Sequence, residues 1–190
     1  MHKHIWIIIL GLLIGFASCK KPVNYNDDNS LKLSFSTDTV TFDTVFTTIG
    51  SSTRQLMIYN DNDDNIKISS IRLEGGNQSQ FTINVDGESG YDFSDVEIFA
   101  KDSIFVFVRV TVNPDNQTTP FFIEDKLIFE TNNNTQSVSL TAYGQNANYI
   151  IADQYINGFP KFKIIADSLQ EVRWTSEKPY VIYGYALINS

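Results

Sequence analysis

The segment Ile104-Phe105-Val106-Phe107-Val108-Arg109-Val110-Thr111-Val112 constrains the fold more than any other part of the chain. Side chains alternate across a strand, so Ile104, Val106, Val108, Val110 and Val112 all line one face. That face is expected to be core throughout. The opposite face begins with Phe105 and Phe107, expected to be covered, and emerges into water at Arg109 and Thr111. Asn113-Pro114-Asp115 ends the strand, because proline has no N–H to donate to a ladder. The same period of two recurs at Leu31, Leu33 and Phe35, at Val40 and Phe42, and over 55–59. Over 66–73 the apolar phase slips by one between Ile68 and Ile71, which is what a β-bulge writes into a sequence. Residues 127–130 and 138–142, separated by a loop at 131–135, read as a closing hairpin. No segment sustains a 3.6-residue apolar period, so helices are minor. Short strands with turn signals every eight to twelve residues or about that predict an all-β fold, an antiparallel β-sandwich.

The chain opens differently. His2, Lys3 and His4 precede an apolar run over 5–17, and Ser18-Cys19 follow. The run is too short for a spanning helix, which needs about 20 apolar residues. A charged start, a short apolar centre and small residues before a cut site describe a secretory signal. With the single cysteine placed directly after Ala17-Ser18, the segment resembles a bacterial lipoprotein signal. That resemblance implies that 1–18 are removed and that Cys19 is lipidated as the first mature residue, although Phe16 stands where leucine is usual. An uncleaved anchor and an ordinary secretory signal are the alternatives. Residues 19–30, polar and without apolar period, read as a flexible tether.

Removing the leader removes both histidines and commits the only thiol to lipid. Ser-His-Asp and Cys-His catalysis are then excluded, as are His- or Cys-ligated zinc, copper and iron sites. The formal charge is −8, and losing Lys3 makes the chain more acidic still. No Lys/Arg patch offsets it, so nucleic acid is excluded as a partner. No cofactor is expected.

A family resemblance rests on Leu33-Ser34-Phe35-Ser36, Val40-Thr41-Phe42-Asp43-Thr44-Val45, Ile58-Tyr59-Asn60, Gln80-Phe81-Thr82-Ile83, 106–114 and Val138-Ser139-Leu140-Thr141-Ala142-Tyr143-Gly144. An asparagine after the second strand, a hydrophobic strand ending at proline and a last strand ending at glycine resemble the immunoglobulin-like domain of the ASH/Hydin type. The resemblance covers 31–145 and implies a sandwich without shared catalytic residues. Asp43 replaces a glycine common in that family.

From 146 to 190 short β runs follow around 162–165, 171–174 and 180–188, the last apolar or aromatic on both faces. This is a β-rich C-terminal extension, and an uncovered strand of that kind is an aggregation liability. Trp174 and Lys178-Pro179-Tyr180-Val181-Ile182-Tyr183-Gly184 resemble the junction in longer Bacteroidetes lipoproteins where such a sandwich leads into a right-handed parallel β-helix. The extension is therefore the start of a β-helix or adds its strands to the sandwich or to a partner.

Three groups of candidate site residues remain. Asp61, Asp63 and Asn65 offer hard oxygens for calcium, but Ile66 and Arg72 stand where an EF-hand needs glycine and glutamate, which favours a solvated turn. Thr39, Thr44, Ser103 and Ser168 each follow an aspartate and precede an apolar residue, a pattern that resembles Bacteroidetes O-glycosylation acceptors. Trp174, Tyr180, Tyr183 and Tyr185 are either core aromatics or a platform for stacking sugar rings. The expectation is a non-enzymatic envelope lipoprotein, lipid-anchored on the periplasmic face or the surface of the outer membrane, serving as an adhesion, scaffold or spacer module with a protein or glycan partner. The alternative is a carbohydrate-binding protein or the head of a β-helix carbohydrate-active protein.

Overall fold

The computed structural model describes residues 23–166 and 173–188. Their regular structure is all β apart from one short 3-10 turn at Gly76–Gln78. One five-stranded sheet runs in the order β1 (Ser34–Phe35), β3 (Arg54–Tyr59), β8 (Ser103–Val110), β5 (Phe81–Val85), β6 (Glu88–Gly90). The other runs β2 (Thr39–Phe46), β10 (Asn134–Gln145), β9 (Phe121–Thr131), β4 (Ile66–Leu73), β7 (Asp92–Ile98). Within these two sheets pairing is antiparallel except where β2 lies parallel to β10, Thr39 opposite Ser139. The first run of the sequence is thus divided between sheets: Phe35 pairs with Ile58 in one, and four residues later Thr39 joins the other.

The core lies between the sheets. Val106, Val108, Val110 and Val112 are fully buried with Phe81 beside them in the same sheet, and Phe42 and Phe129 of the other sheet fill the space opposite. Burying each such side chain is worth about 1.5–3 kcal/mol. Phe42 and Phe81 meet with ring centroids 6.0 Å apart, joining one sheet to the other. The expected slip is present: β4 shifts register against β9 between Ile68 and Ser70, which lets Ile68 and Ile71 both point inward. The loop expected over 131–135 is a tight two-residue turn, and a second turn has the same geometry. Asn132 and Asn133, at φ 51° and 59°, join β9 to β10, and Asp86 and Gly87, at 51° and 88°, join β5 to β6. Positive φ at both central residues is the two-residue hairpin geometry that matches strand twist.

Two expectations are corrected. Phe105 and Phe107 do not begin a covered face, since they are 43% and 39% exposed. β5 runs beside this strand only as far as Val85 opposite Val106, and nothing among the described residues is layered over the outer face there. The flexible tether expected over 19–30 is docked from Asn24 onwards. The Asn24 carbonyl accepts from the Asn65 amide at 3.2 Å, and the Asn26 N–H donates to the Asn65 carbonyl at 2.9 Å. The Asn134 and Asn62 amides donate to the carbonyls of Asn29 and Lys32. Exposed backbone without a ladder is thereby satisfied by the side chains of two asparagine-rich loops.

Tyr25 adds a titratable contact to this docking. Its hydroxyl donates to the Glu97 carboxylate, and this bond, ahead of burial and the Glu97 charge, pushes the phenol up to about 12. The Lys67 ammonium sits 4.8 Å from the centre of the same ring. The protonated phenol is the bonded form, so its contribution is complete below about pH 10, the ordinary tyrosine value, and is lost as pH rises through about 12. An ultraviolet titration should show one late-ionising tyrosine that Tyr25→Phe removes. A variant curve that differs from wild type only near pH 10 would mean that the bond is not made.

Candidate functional site

The extension consists of two parallel ladders. β11 (Asn148–Ile151) pairs with β13 (Tyr180–Tyr183), and β12 (Phe162–Ala166) pairs with β14 (Tyr185–Ile188). Successive strands of one pass therefore stack on successive strands of the next. Gly184 makes the corner between β13 and β14 at φ 91°, and a Cβ there would meet the Ala152 Cβ at 2.8 Å and the Lys161 carbonyl at 3.2 Å. Only glycine fits that corner without strain. The Lys163 ammonium bonds the Asp153 carboxylate at 2.5 Å and, through this hydrogen bond first, holds it below the usual carboxylate range.

Amides and a phenol join the extension to the sandwich. The Tyr149 hydroxyl donates to the Thr47 carbonyl. The buried Asn146 amide donates to the Asp115 and Gln117 carbonyls at 3.0 and 2.7 Å, and Gln145 donates to the Thr118 carbonyl at 3.1 Å. Since a buried amide without partners costs about 1–3 kcal/mol, these side chains are committed to holding the 115–118 loop.

The four candidate aromatics are not equivalent. Trp174 stacks on Tyr180 with centroids 4.2 Å apart and planes at 24°, leaving Trp174 42% exposed. Tyr183 lies an odd number of positions along β13 from Tyr180, so it points to the other face. It borders a small hollow of about 220 Å³ beside Asp43 and Arg54. Tyr185 lies beyond the Gly184 corner and is 60% exposed.

The remaining candidates are distributed over the molecule. Thr39 opens β2, Thr44 lies exposed further along it, and Ser103 opens β8. In the 61–65 loop, Asp63 pairs with Lys101 at 2.9 Å, Asn65 accepts from the Ala100 N–H at 2.9 Å, and the Asp61 carbonyl accepts from the Lys101 ammonium at 2.7 Å. These contacts organise a turn. Among the described residues, no group of three or more His, Cys, Asp or Glu side chains converges to hold a metal. Cys19 and Ser168 lie outside the described residues.

The sequence reading missed a groove of about 840 Å³ bordered by β6, β7 and β8. Alternation in β7 is broken in the middle: Phe93 packs inward, Asp95 at φ 56° slips the phase, and Val96 and Ile98 pack inward after it, with Asp92, Asp95 and Glu97 exposed. The available signal was Asp86-Gly87, which marks a hairpin and hence a strand on each side of it. A second concavity, about 510 Å³, surrounds Asp125. The Asp125 carboxylate accepts from the Ser79 hydroxyl and from the N–H groups of Gly75 and Lys126, which makes it a loop anchor.

No protein-family model matches the chain, and no curated protein does. Similar solved structures include a protein of unknown function from Porphyromonas gingivalis W83, at 12% identity and TM-score 0.43, covering 68% of this chain and 61% of that one. The ASH/PapD-like domain 7 of human CEP192 is similar at 12% identity and TM-score 0.37, covering 69% and 94%. The fold is a β-sandwich of two five-stranded sheets. A family 123 glycoside hydrolase from Clostridium perfringens is similar at 6% identity and TM-score 0.42, covering 64% of this chain but 30% of that enzyme. The chain thus spans less than two thirds of the hydrolase and of the P. gingivalis protein. These are likenesses of fold, and no residue role is carried over from them.

Proposed function

We propose that the chain is a non-enzymatic module of a bacterial cell envelope, anchored in the outer membrane through lipid on Cys19 and serving as a scaffold, adhesion or spacer element. One observation carries the scaffold reading. The buried polar side chains Asn60, Gln145 and Asn146 spend their amides on backbone carbonyls that brace loops and the junction to the extension. A domain braced at the root of its extension transmits position between an anchor and whatever the extension meets. Lipid is the membrane-binding element in this reading, and stable anchoring needs two or more acyl chains. Cells expressing the full chain and fed an alkyne fatty acid should label the protein and keep it with the membranes, whereas Cys19→Ser should lose the label and the membrane association. Equal fractionation of both forms without labelling would overturn the anchor.

A second reading is favoured by the parallel ladders of 148–188 and the Trp174–Tyr180 stack. In it the extension is the first coil of a parallel β-helix that handles carbohydrate. A glycan array with the full chain tests this, and signal unchanged by Trp174→Ala and Tyr183→Ala would remove the aromatics from that role.

A further inference from the structure

The groove beside β7 combines three features that no structural role uses up. Its floor and walls expose aromatic surface: Phe99, Phe105 and Phe107 are 49%, 43% and 39% exposed, with Phe93 and Val96 half-buried beside them. Phe105 and Phe107 stack at 6.3 Å between centroids, which makes a fixed apolar platform. Both sides of the groove carry strand backbone without a partner among the described residues. β7 pairs only with β4. β8 pairs with β3 along Ser103–Val108, but its other edge loses β5 beyond Val106, so Ser103 and Phe105, whose backbone faces that side, have no strand partner there, the Ser103 N–H donating to the Asp102 carboxylate at 2.7 Å instead. The chain at 86–87 turns away into the hairpin at the point where a longer β5 would have covered them.

The third feature is charge. Asp86, Glu88, Asp95 and Glu97 border the groove, and no Lys or Arg does. Lys67 reaches Glu97 at 3.6 Å, while Asp86, Glu88 and Asp95 make no ion pair among the described residues. Carboxylates along an edge repel a second copy of an acidic chain, which guards against self-pairing. They attract a strand that brings ammonium or guanidinium groups.

We propose that this groove is a docking site for an extended peptide segment of a partner protein in which apolar side chains alternate with lysine or arginine. Backbone hydrogen bonds to β7 and to Ser103–Phe105 would hold it, apolar side chains would cover Phe99, Phe105 and Phe107, and the cations of the opposite face would meet Glu88 and Asp95. This is strand addition, in which main-chain bonds give affinity and alternate side chains give specificity. The site goes beyond the scaffold reading, since it holds whether or not Cys19 carries lipid.

The test uses the full chain and a fluorescent peptide of about eight residues alternating valine with lysine, a length typical of strands. Saturable binding by anisotropy is expected, weakened about tenfold or more by the exposed-site variants Phe105→Ala and Glu88→Lys, with the glutamate-for-lysine peptide not binding. Asp38→Asn, remote from the groove, should leave binding unchanged. Hydrogen exchange should show new protection over 92–98 and 103–105. Binding that ignores the groove variants but falls with Asp38→Asn, protection elsewhere, or no binding at millimolar peptide would each overturn the proposal. Equal binding of a scrambled peptide with its valines and lysines segregated would do so too, because alternation is what the geometry requires.

Discussion

Asn60→Ala is expected to destabilise the domain by about 3–4 kcal/mol, seen as a lower denaturant midpoint with an unchanged slope. The side chain is 1% exposed and makes bonds in two directions. Its amide donates to the carbonyls of Asp64 at 2.8 Å, Phe99 at 3.0 Å and Ile98 at 3.2 Å. Its carbonyl accepts from the N–H and the side-chain amide of Asn62 at 3.1 and 2.9 Å. Alanine removes the donor from those carbonyls, of which the Ile98 bond is buried and the other two part-buried, and each buried group left unsatisfied costs about 1–3 kcal/mol. Asn60→Asp should be at least as damaging near neutral pH, because an ionised carboxylate faces the same carbonyls without a hydrogen to give. Its deficit should shrink in acid, where the protonated carboxyl donates one bond. A loss below about 1 kcal/mol for Asn60→Ala would mean that water replaces the amide. The effect reaches the groove, because the Ile98 and Phe99 carbonyls fix the turn that carries Phe99.

That asparagine was legible as a landmark but not as a hub. A polar residue directly after Ile58-Tyr59 marks the end of a strand; only the fold brings 98–99 against it, across a sequence distance that no periodicity reports. The same holds elsewhere. β8 was read from its alternation because one face is buried along its whole length, and the slip at Ile68 was readable because both registers of β4 face core. β7 was not readable because its apolar phase slips at Asp95, between Phe93 and Val96, and β6 because three residues are too few to show a period. The docked segment from Asn24 to Lys32 looked like a tether because its partners are asparagine side chains in distant loops. The direction of the ladders in the extension was likewise hidden. A strand of mixed apolar and aromatic residues has the same appearance whether its neighbour runs parallel or antiparallel.

Gly144→Ala should cost about 2–3 kcal/mol, although glycine-to-alanine changes within strands are usually neutral or better. An added Cβ at this buried position would lie 2.6 Å from the Phe121 ring and 2.6 Å from a Val112 methyl. Neither neighbour retreats freely. Phe121 is the directly opposed residue on β9, and Val112 is fully buried in the core. The clash therefore moves β10 itself, and with it Gln145, whose carbonyl accepts from the Thr47 N–H at 3.0 Å. Thr47 in turn accepts from Tyr149, so the strain is delivered to the joint between sandwich and extension. Two results distinguish this mechanism from a general loss of stability. Hydrogen exchange in the variant should rise first around 145–151, ahead of the sheet centre. In a double-mutant cycle, Phe121→Ala should relieve part of the Gly144→Ala penalty, giving a favourable coupling of at least about 1 kcal/mol. Strict additivity would show that the two side chains do not share the space, and uniform exchange across β9 and β10 would show that the joint is not where the strain emerges.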